Sequence, residues 1–134
     1  MLFLDMKNPK IHFFGFLALI LLGSSISGDS MPPVLALTWD KLLHVAEYSI
    51  LGWLGYRAYY SAYQKPMVYI IIFGILFGCI DESWQSMIPG RFPSHYDVFA
   101  DGIGVICGAV TGSFLYKKSK WSTVYILKIL PLLM

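Results

Sequence analysis

The chain has 134 residues, 57% of them hydrophobic and 13% charged, with a net charge of +2. A soluble domain carries about a quarter of its residues as charges. So few charges cannot cover a water-facing surface, which excludes an ordinary soluble fold and reads as one small integral membrane domain. No basic run of the nucleic-acid type is present, so no nucleic-acid partner is expected.

Four segments are apolar and long enough for a bilayer, which needs roughly 20 residues and about 17 at the least. The first runs from about Ile11 to Ser27. Its flanking Lys7 and Lys10 and its Ser25-Ile26-Ser27 end also fit a cleavable signal peptide. The second runs from Asp40 to about Tyr60, after a loop holding Pro32-Pro33. The third runs from about Met67, just behind Pro66, to Gln85, and the fourth from about Asp97 to Tyr116. Lipid offers no partners to backbone groups, so all four are expected to be helices, giving an all-α four-helix transmembrane bundle. The tail from Trp121 onward contains Lys128 and Pro131 and is expected to form a short interfacial segment.

Lysine and arginine set the orientation. With four spans, Lys7, Lys10, Arg57, Lys65, Lys117, Lys118, Lys120 and Lys128 share one side, and only Lys41 and Arg91 lie on the other. Both termini are therefore expected in the cytoplasm, and the loops around Asp29 and Arg91 outside. Cys79 and Cys107 sit in apolar segments with no metal spacing and are expected as buried free thiols.

Small residues recur four apart in two spans: Gly74 and Gly78 in the third, and Ala100, Gly104, Gly108 and Gly112 in the fourth. Such ladders let another backbone approach closely. Packing within the bundle and homo-oligomerisation both fit.

The polar residues gather at the outer helix ends. At the start of the second span, Asp40, His44, Glu47 and Tyr48 form one stripe with Lys41 beside it, because residues three and four apart share a helix face. Glu47 lies about 10 Å below Asp40 and should point into the bundle, paired or protonated. At the end of the third span stand Asp81, Glu82 and Gln85. A Pro89-Gly90 turn follows and presents Arg91, a bidentate partner for carboxylate or phosphate. Asp97 and Asp101 open the fourth span, and Asp101 lies near the glycine face. Two cations cannot neutralise six carboxylates, so the remainder must protonate, face water or bind something positive. One reading is a structural cap in which Lys41 and Arg91 tie the carboxylates together. The other is a pocket in which His44, held by Asp40 or Glu82, accepts or donates a proton. There is no HExxH, no paired ExxH and no GxSxG, so no metal, cofactor or serine nucleophile is expected. His12 and His95 are lone histidines without an expected role.

These stretches resemble the VanZ-like family, small bacterial membrane proteins named for a teicoplanin-resistance determinant. The similarity rests on Ser24-Ser25-Ile26, Asp40-Lys41-Leu42-Leu43-His44 with Tyr48, Asp81-Glu82-Ser83-Trp84-Gln85, Pro89-Gly90-Arg91 and Asp97-Val98-Phe99-Ala100-Asp101, followed by Gly104 and Gly108. It covers about Ile11 to Tyr116, with Asp101 standing where the family usually shows asparagine. The resemblance implies a multi-pass protein of the bacterial inner membrane, linked in one branch to low-level glycopeptide resistance, and it implies no mechanism. The expected partners are the lipid bilayer, a lipid-linked or cell-wall-related ligand, and a second copy of the chain. Three functions remain in view: an envelope protein that binds or modifies such a ligand, a non-enzymatic assembly helper, and a small transporter. A transporter would need polar groups throughout the membrane depth, and Thr111 and Ser113 are weak candidates on the cytoplasmic half.

The topology is testable in a chain whose own two cysteines are replaced by alanine. A cysteine at Asp29 is expected to react with an impermeant maleimide in intact cells. One at Gln64 should react only after lysis, and the opposite pattern would invert the orientation.

Overall fold

The computed structural model describes residues 8–30 and 40–129, with side chains through residue 116. Lys7, Pro32-Pro33, Pro131 and the side chains of Lys117, Lys118, Lys120 and Lys128 lie outside the described residues. Four helices occupy the four apolar segments: α1 (Pro9–Ser24), α2 (Asp40–Tyr59), α3 (Pro66–Gln85) and α4 (His95–Ile129). No strand occurs among the described residues.

Local chemistry sets most helix starts. Asn8 caps α1 by accepting from the Lys10 amide at 3.0 Å, and Pro9 follows at the first helical position. These two signals start the helix ahead of Ile11, where its apolar run begins. The helix ends at Ser24, and Gly28–Ser30 form a single 3₁₀ turn. Pro66 starts α3 in the same manner as Pro9. Ser94 Oγ accepts from the Tyr96 amide at 3.2 Å at the start of α4.

The expected break after Tyr116 is absent: α4 continues to Ile129. No glycine or proline occurs between Phe114 and Ile129, so nothing in the chain stops the helix there. The tail is thus the end of α4 through Ile129 rather than a separate segment.

Helix α4 packs mainly on α2 and also on α3. Its buried stripe is Asp97, Ala100, Asp101, Gly104, Val105, Gly108, Ala109, Gly112 and Ser113. The glycines bring the α2 and α4 backbones together. A Cβ at Gly108 would run into the Ser49 carbonyl oxygen, and one at Gly104 would meet the Val45 carbonyl and Tyr48. Gly52 returns the contact from α2, lying against the Val105 carbonyl and the Ala109 amide. Gly112 faces Tyr56, Gly74 faces Val105, and Gly78 faces Asp101. All five glycines of the two ladders therefore serve contacts inside the chain. Helix α1 closes the bundle through Phe13, Leu17 and Ile20, packed with Tyr48, Leu51, Leu54, Ala58 and Phe77.

Large apolar side chains cover the exterior, and buried polar ones gather at one end of the interior. Leu19, Leu22, Ile72, Leu76, Ile80, Phe99 and Phe114 are exposed, while His44, Asp81, Glu82, Gln85, Asp97 and Asp101 are buried. Two stretches, Pro66–Gln85 and His95–Tyr116, are long and apolar enough to cross a membrane. Helix α2 matches them in length but carries Asp40, Lys41, His44, Glu47 and Arg57, and α1 has 16 residues. Cys79 and Cys107 are both exposed rather than buried. Each helix buries one stripe, and both cysteines fall outside it, Cys79 on the side where α3 meets the start of α4.

Gly108→Ala should destabilise the bundle by about 1–3 kcal/mol, the usual cost of overpacking. Gly15→Ala, where a Cβ meets nothing within 4 Å, should be neutral or slightly stabilising. Thermal unfolding in detergent compares them, and equal melting temperatures would refute the close α2–α4 approach.

Candidate functional site

Three helix ends and two loops converge on His44. From the first turns of α2, Lys41 Nζ reaches Asp97 Oδ1 at 2.6 Å. One turn deeper, His44 Nδ1 lies 2.9 Å from Asp101 Oδ1. On the other side of the ring, Nε2 lies 4.0 Å from Glu82 Oε1. The α2–α4 approach at Gly104 and Gly108 brings His44 to Asp101, and the α3–α4 approach at Gly78 places α3 beside the same carboxylate.

The partner of His44 differs from expectation. Asp101, rather than Asp40 or Glu82, holds its Nδ1. Asp101 lies three residues before Gly104 and so faces α2 and α3 at the tightest part of the bundle, where it is 0% exposed. The family's usual asparagine could supply the same oxygen to the histidine.

Gln85 forms a second centre. Its Nε2 donates to Asp81 Oδ2 at 3.1 Å and to Ser24 Oγ at 3.4 Å, which ties α3 to the end of α1. Arg91 also departs from expectation. Its guanidinium donates to the Ile26 carbonyl from Nε and to the Gly23 carbonyl from Nη2, each at 3.2 Å. It thus satisfies carbonyls at the C-terminal end of α1, where a cation also suits the helix dipole. Arg91 owes this reach to the Pro89-Gly90 turn. The Arg91 amide donates to the Ile88 carbonyl at 3.2 Å, and Gly90 adopts φ +73°, as the third position of a type II turn requires. Ser27 Oγ and the Gly28 amide both donate to the Pro89 carbonyl at 3.0 Å, so the two loops are pinned together.

Glu47 is half-buried and lines a cavity of about 200 Å³ with Asp40, His44, Gln85, Arg91 and Ser24. Tyr48 is fully buried in the core beside Phe77 and faces Gly104, so it supports the site rather than lining it. A larger open cleft of about 490 Å³ lies on the α3–α4 side, lined by Glu82, Ser86, Ser94 and His95 among others. His44 lines the cavity and Glu82 lines the cleft, so this pair stands between the two spaces.

Sequence reasoning gave no role in the site to four contributors. Ser94 donates its amide to Glu82 Oε2 at 2.9 Å and caps α4. Its signal was Ser94-x-x-Asp97, the spacing of a helix start. Ser24 is buried against Gln85, and Ser25 Oγ accepts from Trp84 Nε1 at 2.9 Å. Gly52 was missed because the ladders were sought on α3 and α4 alone.

The VanZ/LLP1 family model matches residues 3–116. The chain belongs to the VanZ/LLP1 family. The match spans α1 to α3 and α4 as far as Tyr116, and so takes in every residue of the polar cluster. No curated protein and no solved structure matches the chain. Within this VanZ/LLP1 chain, the atoms Tyr48 Oη, Asp81 Oδ1, Glu82 Oε1 and Asp101 Oδ2 are buried without a hydrogen-bond partner among the described residues. Buried polar atoms are usually paired; these are four of the six such atoms among the described residues, the other two being His12 Nδ1 and Trp53 Nε1.

Asp101→Leu is expected to lower stability by about 1–3 kcal/mol, because it leaves His44 Nδ1 buried without its acceptor. Asp101→Asn keeps an oxygen there and should cost less. Melting temperatures in detergent give the order, and equal losses for the two variants would show that the hydrogen bond contributes nothing.

Proposed function

We propose that this VanZ/LLP1 chain is a multi-pass protein of the bacterial inner membrane. Its four helices cross the bilayer with both termini in the cytoplasm, and the polar pocket at their outer ends binds the polar part of a lipid-linked or cell-wall-related ligand. The inverted distribution of side chains supports insertion: apolar residues clad the outside and carboxylates fill one end of the inside. The excess of Lys and Arg on the side of the termini supports the orientation.

The observation that carries the pocket reading is His44. It is buried, oriented by Asp101 through Nδ1, and stands with Glu82 between a cavity and a cleft. A histidine held by a carboxylate at one nitrogen presents the other for binding or proton transfer. Cavity and cleft reach the level of the helix ends, where the head group of a membrane lipid would lie. The family's link to teicoplanin adds an expected phenotype, altered sensitivity to glycopeptides.

A second reading is favoured by the Lys41–Asp97 ion pair and by Arg91 on the α1 carbonyls. These contacts suit a structural cap on a non-enzymatic helper that assembles with other membrane proteins.

The two separate in a strain where deletion of the gene changes glycopeptide sensitivity. His44→Ala, Glu82→Ala, Gln85→Ala and Arg91→Ala are each expected to abolish function at normal protein level. Full activity of all four would sink the pocket reading and leave the helper.

A further inference from the structure

We propose that Asp40, His44 and Asp97, together with Glu82, hold a divalent transition cation of the Zn²⁺ or Mn²⁺ class. The inference rests on the pocket reading above and adds a metal to it. One ligand atom from each of Asp40, His44 and Asp97 can be chosen so that all lie within 4.8 Å of one another. Two ligands on opposite sides of a cation, each about 2.1 Å away, stand about 4.2 Å apart. Three ligands cannot all stand opposite one another, and around a tetrahedral cation they are about 3.4 Å apart, so the set closes by a contraction of up to about 1.4 Å.

Glu82 lies outside that set of three and meets it at the histidine. It is only 7% exposed, and its Oε1 has no hydrogen-bond partner among the described residues. That oxygen faces His44 Nε2 at 4.0 Å, too far for a hydrogen bond. The gap lies between the separations of adjacent and opposite ligands on one cation, about 3.0 and 4.2 Å. Glu82 Oε2 is held by the Ser94 amide at 2.9 Å, which keeps Oε1 aimed at the histidine.

The surroundings fit as well. Asp101 takes Nδ1 of His44 and leaves Nε2 for the metal, the arrangement that orients most metal-binding histidines. Three carboxylates and one imidazole suit an intermediate cation better than a soft one. Lys41 is the competitor. Its ammonium occupies Asp97 Oδ1 at 2.6 Å and leaves the second oxygen of that carboxylate for the cation.

The test uses the full chain in detergent, stripped with EDTA and dialysed against Zn²⁺ or Mn²⁺, with bound metal counted by mass spectrometry. One ion per chain is expected. Asp40→Asn, Glu82→Gln and His44→Gln should each weaken binding at least tenfold, and His12→Gln should bind as the parent does. Lys41→Gln should bind several-fold tighter, because it frees Asp97 and removes a repelling charge; a purely structural cluster would not respond in that direction. X-ray absorption should show nitrogen and oxygen neighbours. Any one of three results overturns the proposal: no bound ion, equal binding by the parent and the ligand variants, or a sulfur neighbour. If a ligand variant fails to fold, Lys41→Gln and the absorption spectrum still decide. Metal binding without any lipid-linked ligand would leave the cation site standing, and ligand binding to a chain that takes up no ion would overturn the cation site alone.

Discussion

The close contact of α2 with α4 is the constraint on which the rest depends. Gly52, Gly104 and Gly108 bring the two backbones into direct contact. At that spacing a side chain one turn further toward the Asp97 end is delivered directly to its counterpart. His44 and Asp101 are that pair. Larger residues in place of the glycines would push α4 away from α2, and the 2.9 Å contact between imidazole and carboxylate would be lost.

From this pair the polar site builds outward in layers. Asp101 orients His44, Ser94 orients Glu82, and Gln85 binds Asp81 and Ser24. Arg91 and the Pro89 carbonyl lock the two loops over them. Each polar group is tied to a different helix or loop, so the cluster also joins the four helices at one end. That dual role explains why a cap and a pocket can be built from the same residues. They differ in what the unpaired oxygens of Asp81, Glu82 and Asp101 are for.

Much of the site was legible because helix geometry is periodic. Asp40, His44, Glu47 and Tyr48 had to share a face, and small residues four apart on α4 had to meet another helix. What periodicity cannot tell is which face meets which. Asp40 and Glu82 were the expected holders of His44, and Asp101, at the same level, was not among them. Arg91 looked like a partner for carboxylates, and only the loop geometry turned it toward the carbonyls of α1. The cysteines were misread for a related reason. An apolar segment does not reveal which of its sides faces the bundle, and each helix here buries a single stripe.

The sequence by itself determined the helical class, the placement of four apolar segments, the family and the roster of polar residues gathered at one end. These follow from local properties: hydropathy, capping residues and spacing along one chain. Only the tertiary structure decided the pairing of His44 with Asp101, the spacing of 4.0 Å to Glu82, the role of Arg91 and the unbroken length of α4. The first three depend on how far apart helix backbones stand and how each is rotated about its axis. Those quantities are set by the summed packing of glycines and core side chains from several helices, and no single segment carries them. The length of α4 is the exception, for its sequence held no stop signal before Ile129 and the separate tail was inferred from Lys128 and Pro131.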